Sequence, residues 1–229
     1  MSNKVAAITG GTRGIGRGIA EALVAEGWTV SVTGRNEDSL REVTEQLGCE
    51  GERVDVQDEG AVDSWLQRLA GRHGRLDLLV NNAGVGRFAP VDEMSADDWR
   101  AVVHTNLDGA FYALSSAARL MKPREDGWIV NIASIASRNA IKGGAAYNAS
   151  KFGMLGLAEA AMLDLRKYGI RVTTVMPGSV DTDFAHRAGD TDWMLRSEDV
   201  AQVVLDLLRY PARALPSRIE IRPTKPPSA

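Results

Sequence analysis

The sequence predicts an α/β fold, a doubly wound, mostly parallel sheet of seven strands flanked by helices. Three observations predict it. Short apolar runs alternate with stretches of helical periodicity along the whole chain. The first run, residues 5–9, passes straight into a glycine-rich turn and then a helix. The length, 229 residues, is enough for one such sheet with a core on both faces. Alternating strands and helices imply parallel strands, because a crossover helix returns the chain to the same end of the sheet. No linker or internal repeat interrupts the alternation, so residues 1–229 read as a single domain.

The first helix spans residues 17–26, with Ile19, Leu23 and Val24 on its apolar stripe. Between strand and helix lie Gly10, Thr12, Arg13, Gly14, Ile15 and Gly16. Glycines let a ligand approach the backbone, and a helix start offers free N–H groups, so this turn suits the pyrophosphate of a dinucleotide in a Rossmann-like fold. The second strand, residues 27–33, ends at Gly34 and Arg35. An acid at that point suits the ribose 2′-OH of NAD, and a base suits the 2′-phosphate of NADP. Arg35 stands there, Arg13 can approach from the turn, and Gly34 leaves room for the phosphate, so the expected cofactor is NADPH/NADP. Glu37 and Asp38 open the next helix, residues 37–47, and are expected to point to solvent.

The third strand, residues 51–56, carries Asp55 and Val56 at its end. The helix over 58–73 buries Val62, Trp65, Leu66 and Leu69 at helical spacing. The fourth strand, 76–80, runs into Asn81, Asn82, Ala83 and Gly84, which read either as a turn or as a platform for a flat ligand. Ser95 caps a helix that is expected to continue past Asn106, a poor helix former, and through residues 110–121 to Pro123.

The fifth strand, 128–133, leads to Ser134, at the strand exit where open α/β sheets place their ligand crevice. Tyr147 and Lys151 follow, four apart and so on one helix face. Taken alone the pair is ordinary surface chemistry. A cation beside a phenol, however, lowers a pKa that is otherwise about 10 and makes the tyrosine a usable general acid or base. The helix runs on to residue 165, apolar on nearly every face, which points to burial beyond one sheet and to a subunit interface. The sixth strand, 170–175, leads to Pro177, Gly178, Val180 and Thr182. A loop over 184–195 carries Phe184, His186, Trp193 and Met194; Phe184, Trp193 and Met194 are expected to line the mouth of a pocket. A helix over 197–210 and a strand over 218–222 close the pattern.

Composition excludes several classes. With 27 basic and 30 acidic residues and no basic run, nothing suggests a nucleic-acid surface. Cys49 is the one cysteine, so no intrachain disulfide and no metal cluster is expected. No apolar stretch approaches the ~18 residues of a membrane span, and the run at 5–8 is too short for a signal peptide. A cytoplasmic protein is expected.

In order, the chain presents Thr9-Gly10-x-x-x-Gly14-x-Gly16, Asp55, Asn81-Asn82-Ala83-Gly84, Asn106, Ser134, Tyr147-x-x-x-Lys151 and Pro177-Gly178-x-x-x-Thr182. This set resembles the short-chain dehydrogenase/reductase family over residues 4–222, and within it the NADPH-dependent carbonyl and 3-oxoacyl-thioester reductases. The resemblance implies a catalytic set of Asn106, Ser134, Tyr147 and Lys151. Tyr147 would donate the proton, Lys151 would lower its pKa and bind the nicotinamide ribose, Ser134 would position the carbonyl and Asn106 would hold a relay water. It also implies that Gly10, Gly14 and Gly16 cradle the pyrophosphate, with Thr12 and Ile15 beside them. Asp55 and Val56 would meet the adenine, Asn82, Ala83 and Gly84 the adenosine side, and Pro177, Gly178, Val180 and Thr182 the nicotinamide end. The implied substrate is a small carbonyl or secondary alcohol, with a 3-oxoacyl thioester among the candidates. The implied assembly is a homodimer or homotetramer, a dimer forming through the helices around Asn106 and after Tyr147.

Two other readings compete. A non-catalytic NADP(H)-binding regulator or redox sensor could use the same fold, but such a protein has no need of the intact Asn106, Ser134, Tyr147, Lys151 set. A reductase acting on a carrier-bound chain would want a basic docking patch, for which Arg87, Arg138 and Lys142 are the candidates.

Overall fold

The computed structural model describes residues 4–182, 184 and 190–225. Its strands are β1 (Val5–Ile8), β2 (Thr29–Gly34), β3 (Glu50–Arg53), β4 (Leu78–Asn81), β5 (Gly127–Ile132), β6 (Ile170–Pro177) and β7 (Arg218–Ile221). Its helices are α1 (Gly14–Ala25), α2 (Glu37–Leu47), α3 (Glu59–His73), α4 (Ala96–Val103), α5 (Gly109–Met121), α6 (Ala145–Leu165) and α7 (Ser197–Leu208). The seven strands form one sheet in the order β3-β2-β1-β4-β5-β6-β7. Every pairing is parallel, so the sheet is wholly rather than mostly parallel.

Side chains alternate across each strand, and the two faces feed two separate cores. Val5 and Ala7 of β1 join Leu79 of β4 and Ile129 of β5 in the core beneath α3, α5 and α6. Ala6 and Ile8 join Leu78, Val80, Trp128 and Val130 in the core beneath α1 and α7. Both sides being covered explains why the central strands read as continuous apolar runs. Two tryptophans are satisfied inside: Trp65 Nε1 donates to Ser31 Oγ at 2.9 Å, and Trp128 Nε1 to Thr173 Oγ1 at 2.9 Å.

The chain winds outward from β1 to β3 on one side, then crosses to β4 on the other. The C-terminal ends of β1 and β4 therefore diverge into a crevice at the switch point. Most element ends shift by one to three residues from the sequence expectation, and three differences bear on the site. Helix α1 starts at Gly14, because the last glycines of the turn already take helical positions despite their poor propensity. Strand β3 covers Glu50–Arg53, so Asp55 and Val56 lie beyond it. The long helix through Asn106 is broken by a π-helical segment, His104–Asp108. Such segments insert one residue into the helical ladder and recur at functional sites.

Candidate active site

The glycine-rich turn is braced from β4. Asn82 Nδ2 donates to the carbonyls of Thr9 (3.1 Å) and Gly10 (2.8 Å). Thr9 Oγ1 accepts from the backbone N–H groups of Asn82 (3.0 Å) and Ala83 (3.1 Å). A Cβ at Gly16 would run into Asn82 Nδ2 and the Gly10 carbonyl oxygen, so only glycine closes this turn. Asn82 is thus committed to holding the turn. Helix α1 begins with no side-chain cap on its N-terminus and no acid in its first turn, which leaves its N–H groups available to an anion. Ile15 packs its side chain into the α1–α7 core below them.

At the end of β2 the room beside Gly34 is filled from within: a Cβ there would stand 2.6 Å from the Thr12 methyl. Gly34 therefore lets the turn dock on β2, rather than leaving space for a phosphate. That contact brings Arg13 and Arg35 to the same rim. Both are exposed, and neither side chain has a hydrogen-bond or ion-pair partner among the described residues. The nearby acids are occupied: Glu37 pairs with Arg53 at 3.4 Å, and Asp38 with Arg41 at 2.8 Å. Asp55 is exposed and caps its own turn through Gln57 N–H at 3.1 Å, while Val56 is buried against Gly109.

On the far side of the crevice, Ser134 begins a short turn in which its Oγ accepts the Ala136 N–H at 3.1 Å. That bond orients the hydroxyl, which lies beside the Tyr147 phenol. Tyr147 is 8% exposed and Lys151 4%. Lys151 Nζ donates to the Ile132 carbonyl at 3.0 Å and lies 5.8 Å from the Tyr147 ring centroid. Burial pushes the phenol above its usual range, with the Ser134 hydroxyl pulling partly back. Burial also lowers the Lys151 ammonium to about 8. The direction at Tyr147 is opposite to what the Tyr-x-x-x-Lys spacing suggests, because desolvation of a nearly enclosed phenol outweighs the other influences.

Asn106 is fully buried in the π-helical segment, and its side chain is fully employed. Its Oδ1 accepts the Val85 N–H at 2.8 Å; its Nδ2 donates to the Val85 carbonyl (3.0 Å) and to Ser150 Oγ (3.0 Å). Ser150 Oγ in turn donates to the Tyr147 carbonyl at 2.8 Å. Asn106 thus ties the chain after Gly84 to the helix that carries Tyr147. The strand-end residues Pro177 and Gly178 pair with the end of β7, and Gly178 N–H donates to Ile221 at 2.8 Å. Val180 bridges Leu195, and the Thr182 methyl faces Gly14 across the crevice.

The expected mouth residues divide. Phe184 stands on Tyr147, ring centroids 5.7 Å apart. Trp193 and Met194 instead line a groove with α7 and the chain after β7, alongside Val203 and Pro223. His186 lies outside the described residues. Two residues escaped the sequence reading. Phe88 also packs on Tyr147, ring centroids 5.6 Å apart; the signal was an aromatic in a glycine-containing stretch just past a strand end. Asn148 holds the loop between Ser134 and Tyr147, donating to the Ala136 and Asn139 carbonyls (both 2.8 Å) and accepting the Ile141 N–H (2.9 Å). Its place inside the Tyr-x-x-x-Lys spacing hid it.

Comparison with known proteins agrees with this geometry. The family model for short chain dehydrogenases matches residues 4–193. An uncharacterized oxidoreductase of Staphylococcus saprophyticus is 32% identical over 97% of this chain and 98% of its own length. The 3-oxoacyl-acyl-carrier-protein reductase FabG of Chlamydia pneumoniae is 36% identical over 90% of each chain. Among solved structures, a metagenomic short-chain oxidoreductase in complex with NADP is 35% identical, with a TM-score of 0.85 over 98% of this chain and 99% of that one. A variant of the actinorhodin polyketide ketoreductase with NADPH is 30% identical, with a TM-score of 0.89 over 96% of each chain.

Proposed function

The chain belongs to the short-chain dehydrogenase/reductase family and is an NAD(P)-dependent oxidoreductase, and from that premise we propose that it reduces a carbonyl compound to a secondary alcohol with NADPH, and runs the reverse reaction on the alcohol. The observation that carries the reading is the Ser134 hydroxyl beside the Tyr147 phenol and buried Lys151, across the crevice from the braced glycine turn.

The cradle fits a dinucleotide: uncapped N–H groups at α1, a turn closed by Gly16, and two free guanidinium groups at its rim. The chemistry NADPH supplies when bound is hydride delivery to the carbonyl carbon. The chain's own residues do the rest. The Ser134 hydroxyl and the Tyr147 O–H converge on the substrate oxygen, and hold it as negative charge develops there. The phenol transfers its proton to that oxygen and recovers one from solvent, so no free alkoxide is released. Lys151, brought to about 8 by burial, can carry a charge near neutral pH and offset the phenolate left behind. Asn106 fixes the distance between the Val85 chain and α6, which sets where Tyr147 points.

NADPH rather than NADH follows from the free Arg13 and Arg35 and from the pairing of Glu37 and Asp38 elsewhere. Two similar structures, one in complex with NADP and one with NADPH, support the same choice. The protein would work in the cytoplasm as a homodimer through α5 and α6, whose Phe111, Phe152 and Leu163 are exposed apolar side chains. Among the described residues no helix is long and apolar enough to cross a membrane. The test is steady-state assay of the purified protein with NADPH or NADH against a panel of ketones, aldehydes and 3-oxoacyl thioesters. Turnover of no carbonyl compound with either cofactor would end the reading.

A further inference from the structure

Resting on that reading, we infer that Phe88 and Phe184 form an aromatic clamp that selects uncharged, ring-bearing ketones, with the ring held against the two phenylalanine faces and the carbonyl reaching Ser134 and Tyr147. The two rings flank Tyr147 at 5.6 and 5.7 Å, tilted by 50° and 51° to it. Tyr147 is buried beneath them, whereas Phe88 is 49% exposed and Phe184 41%. Two rings packed on the proton-donating residue thus keep much of their apolar surface open to solvent. A ligand with a flat apolar surface gains both burial and ring–ring contact there.

The clamp is constructed rather than incidental. A Cβ at Gly86 would stand 2.8 Å from Phe88 and 3.1 Å from Phe184, so the missing side chain is what lets both rings lie against this stretch of backbone. The Phe88 loop is pinned to the chain before α6: Ala89 N–H donates to the Gly143 carbonyl at 2.9 Å, and Ala89 bridges Gly144. That pinning places Phe88 relative to Tyr147 through backbone, and leaves Ile141 exposed on the same connection.

The charges nearby argue against a polyanionic or carrier-linked substrate. Arg87 pairs with Asp98 at 3.6 Å and Arg138 with Glu220 at 4.0 Å. Of the three basic residues that could have formed a docking patch, only Lys142 has no partner among the described residues. An uncharged ring needs no such patch.

The experiment compares three carbonyl probes of matched size: an aryl alkyl ketone, an open-chain aliphatic ketone and a 3-oxoacyl thioester. Each is assayed with NADPH on the wild type, Phe88→Leu, Phe184→Leu and the double variant. Leucine retains apolar bulk and removes the ring face, and both positions are half exposed, so the fold is preserved; circular dichroism and thermal unfolding verify this. The wild type should favour the aryl ketone. Each substitution should raise its KM about two- to tenfold, the size of one lost ring contact, with the aliphatic ketone and the Kd for NADPH unchanged. Binding of 2-naphthol, followed by its own fluorescence without turnover, should weaken in parallel. Reduction of carbonyls with no aryl preference, or an aryl preference and naphthol affinity untouched in the double variant, overturns the clamp while leaving the carbonyl reductase reading intact. Absence of any carbonyl turnover overturns both.

Discussion

Single residues near the crevice act mainly through burial and through the partners they lack. Tyr147→Phe removes one hydroxyl from an enclosed ring and should lower kcat by ~10²–10⁴-fold, the usual contribution of a positioned acid, with NADPH affinity nearly unchanged by isothermal titration. Retention of a tenth or more of the wild-type rate would exclude the acid role. The Arg35 side chain has no partner among the described residues, so Arg35→Ala should cost one charge-assisted contact, ~1.5–3 kcal/mol, or about ten- to a hundredfold in KM for NADPH with little change for NADH. Equal weakening of both cofactors would be the contrary result. Lys151 makes a stability prediction with a definite sign. Its ammonium falls from 10.5 in the open chain to about 8 when folded, so between those values the unfolded chain binds more protons and stability rises with pH. Below about pH 8 the full penalty applies, on the order of 3 kcal/mol. Lys151→Met loses the bond to Ile132, about 1 kcal/mol, and should still stabilise the cofactor-free protein near pH 7 by roughly 2 kcal/mol, an advantage that shrinks as pH rises toward 10.5. Urea unfolding at pH 7 and 9.5, on either side of the folded pKa of about 8, would measure it.

Elements are held in register at this site by side chains that bond to backbone. The π-helical segment His104–Asp108 places Asn106 where its amide bonds both backbone groups of Val85 and the hydroxyl of Ser150. Asn106→Ala leaves buried groups unpaired, so a loss of about 2–4 kcal/mol is expected, by summing one to two unsatisfied groups. Hydrogen exchange should show faster opening at Val85 and lower kcat with little change in NADPH affinity. Exchange at Val85 as slow as in the wild type would show that the tether is not Asn106. The turn between β1 and α1 depends in the same way on Asn82 and on the missing Cβ at Gly16.

At the scale of the molecule, the sheet is buried on both faces, yet α5 and α6 carry Phe111, Phe152 and Leu163 into solvent. Removing an apolar side chain from water is worth ~1.5–3 kcal/mol, and a two-fold interface counts it twice. Leu163→Glu should therefore weaken a dimer by about a hundredfold or more, seen by light scattering, with the circular dichroism spectrum unchanged. A wild type that is monomeric at micromolar concentration would remove the proposed interface. By contrast Cys49 is partly buried, and burial pushes its thiol up, so alkylation at neutral pH should be slow and without effect on the assembly.

Sequence alone determined the layered architecture and the order of the site. The continuous apolar runs of β1, β4 and β5 and the helical stripe of Val62, Trp65, Leu66 and Leu69 are local properties, written in the spacing of apolar residues. The glycine turn, Ser134 and the Tyr147–Lys151 pair were legible for the same reason: each is a short motif whose geometry follows from one strand end or one helix face. Tertiary structure decided what depends on groups distant in the chain. Thr12 fills the space at Gly34, Asn82 braces Gly10 across 72 residues, and Phe88 and Phe184 both pack on Tyr147. The direction of the Tyr147 pKa belongs here too. Spacing places a lysine near a phenol, but only the packing of the whole domain sets how far both are removed from water, and desolvation is the larger influence.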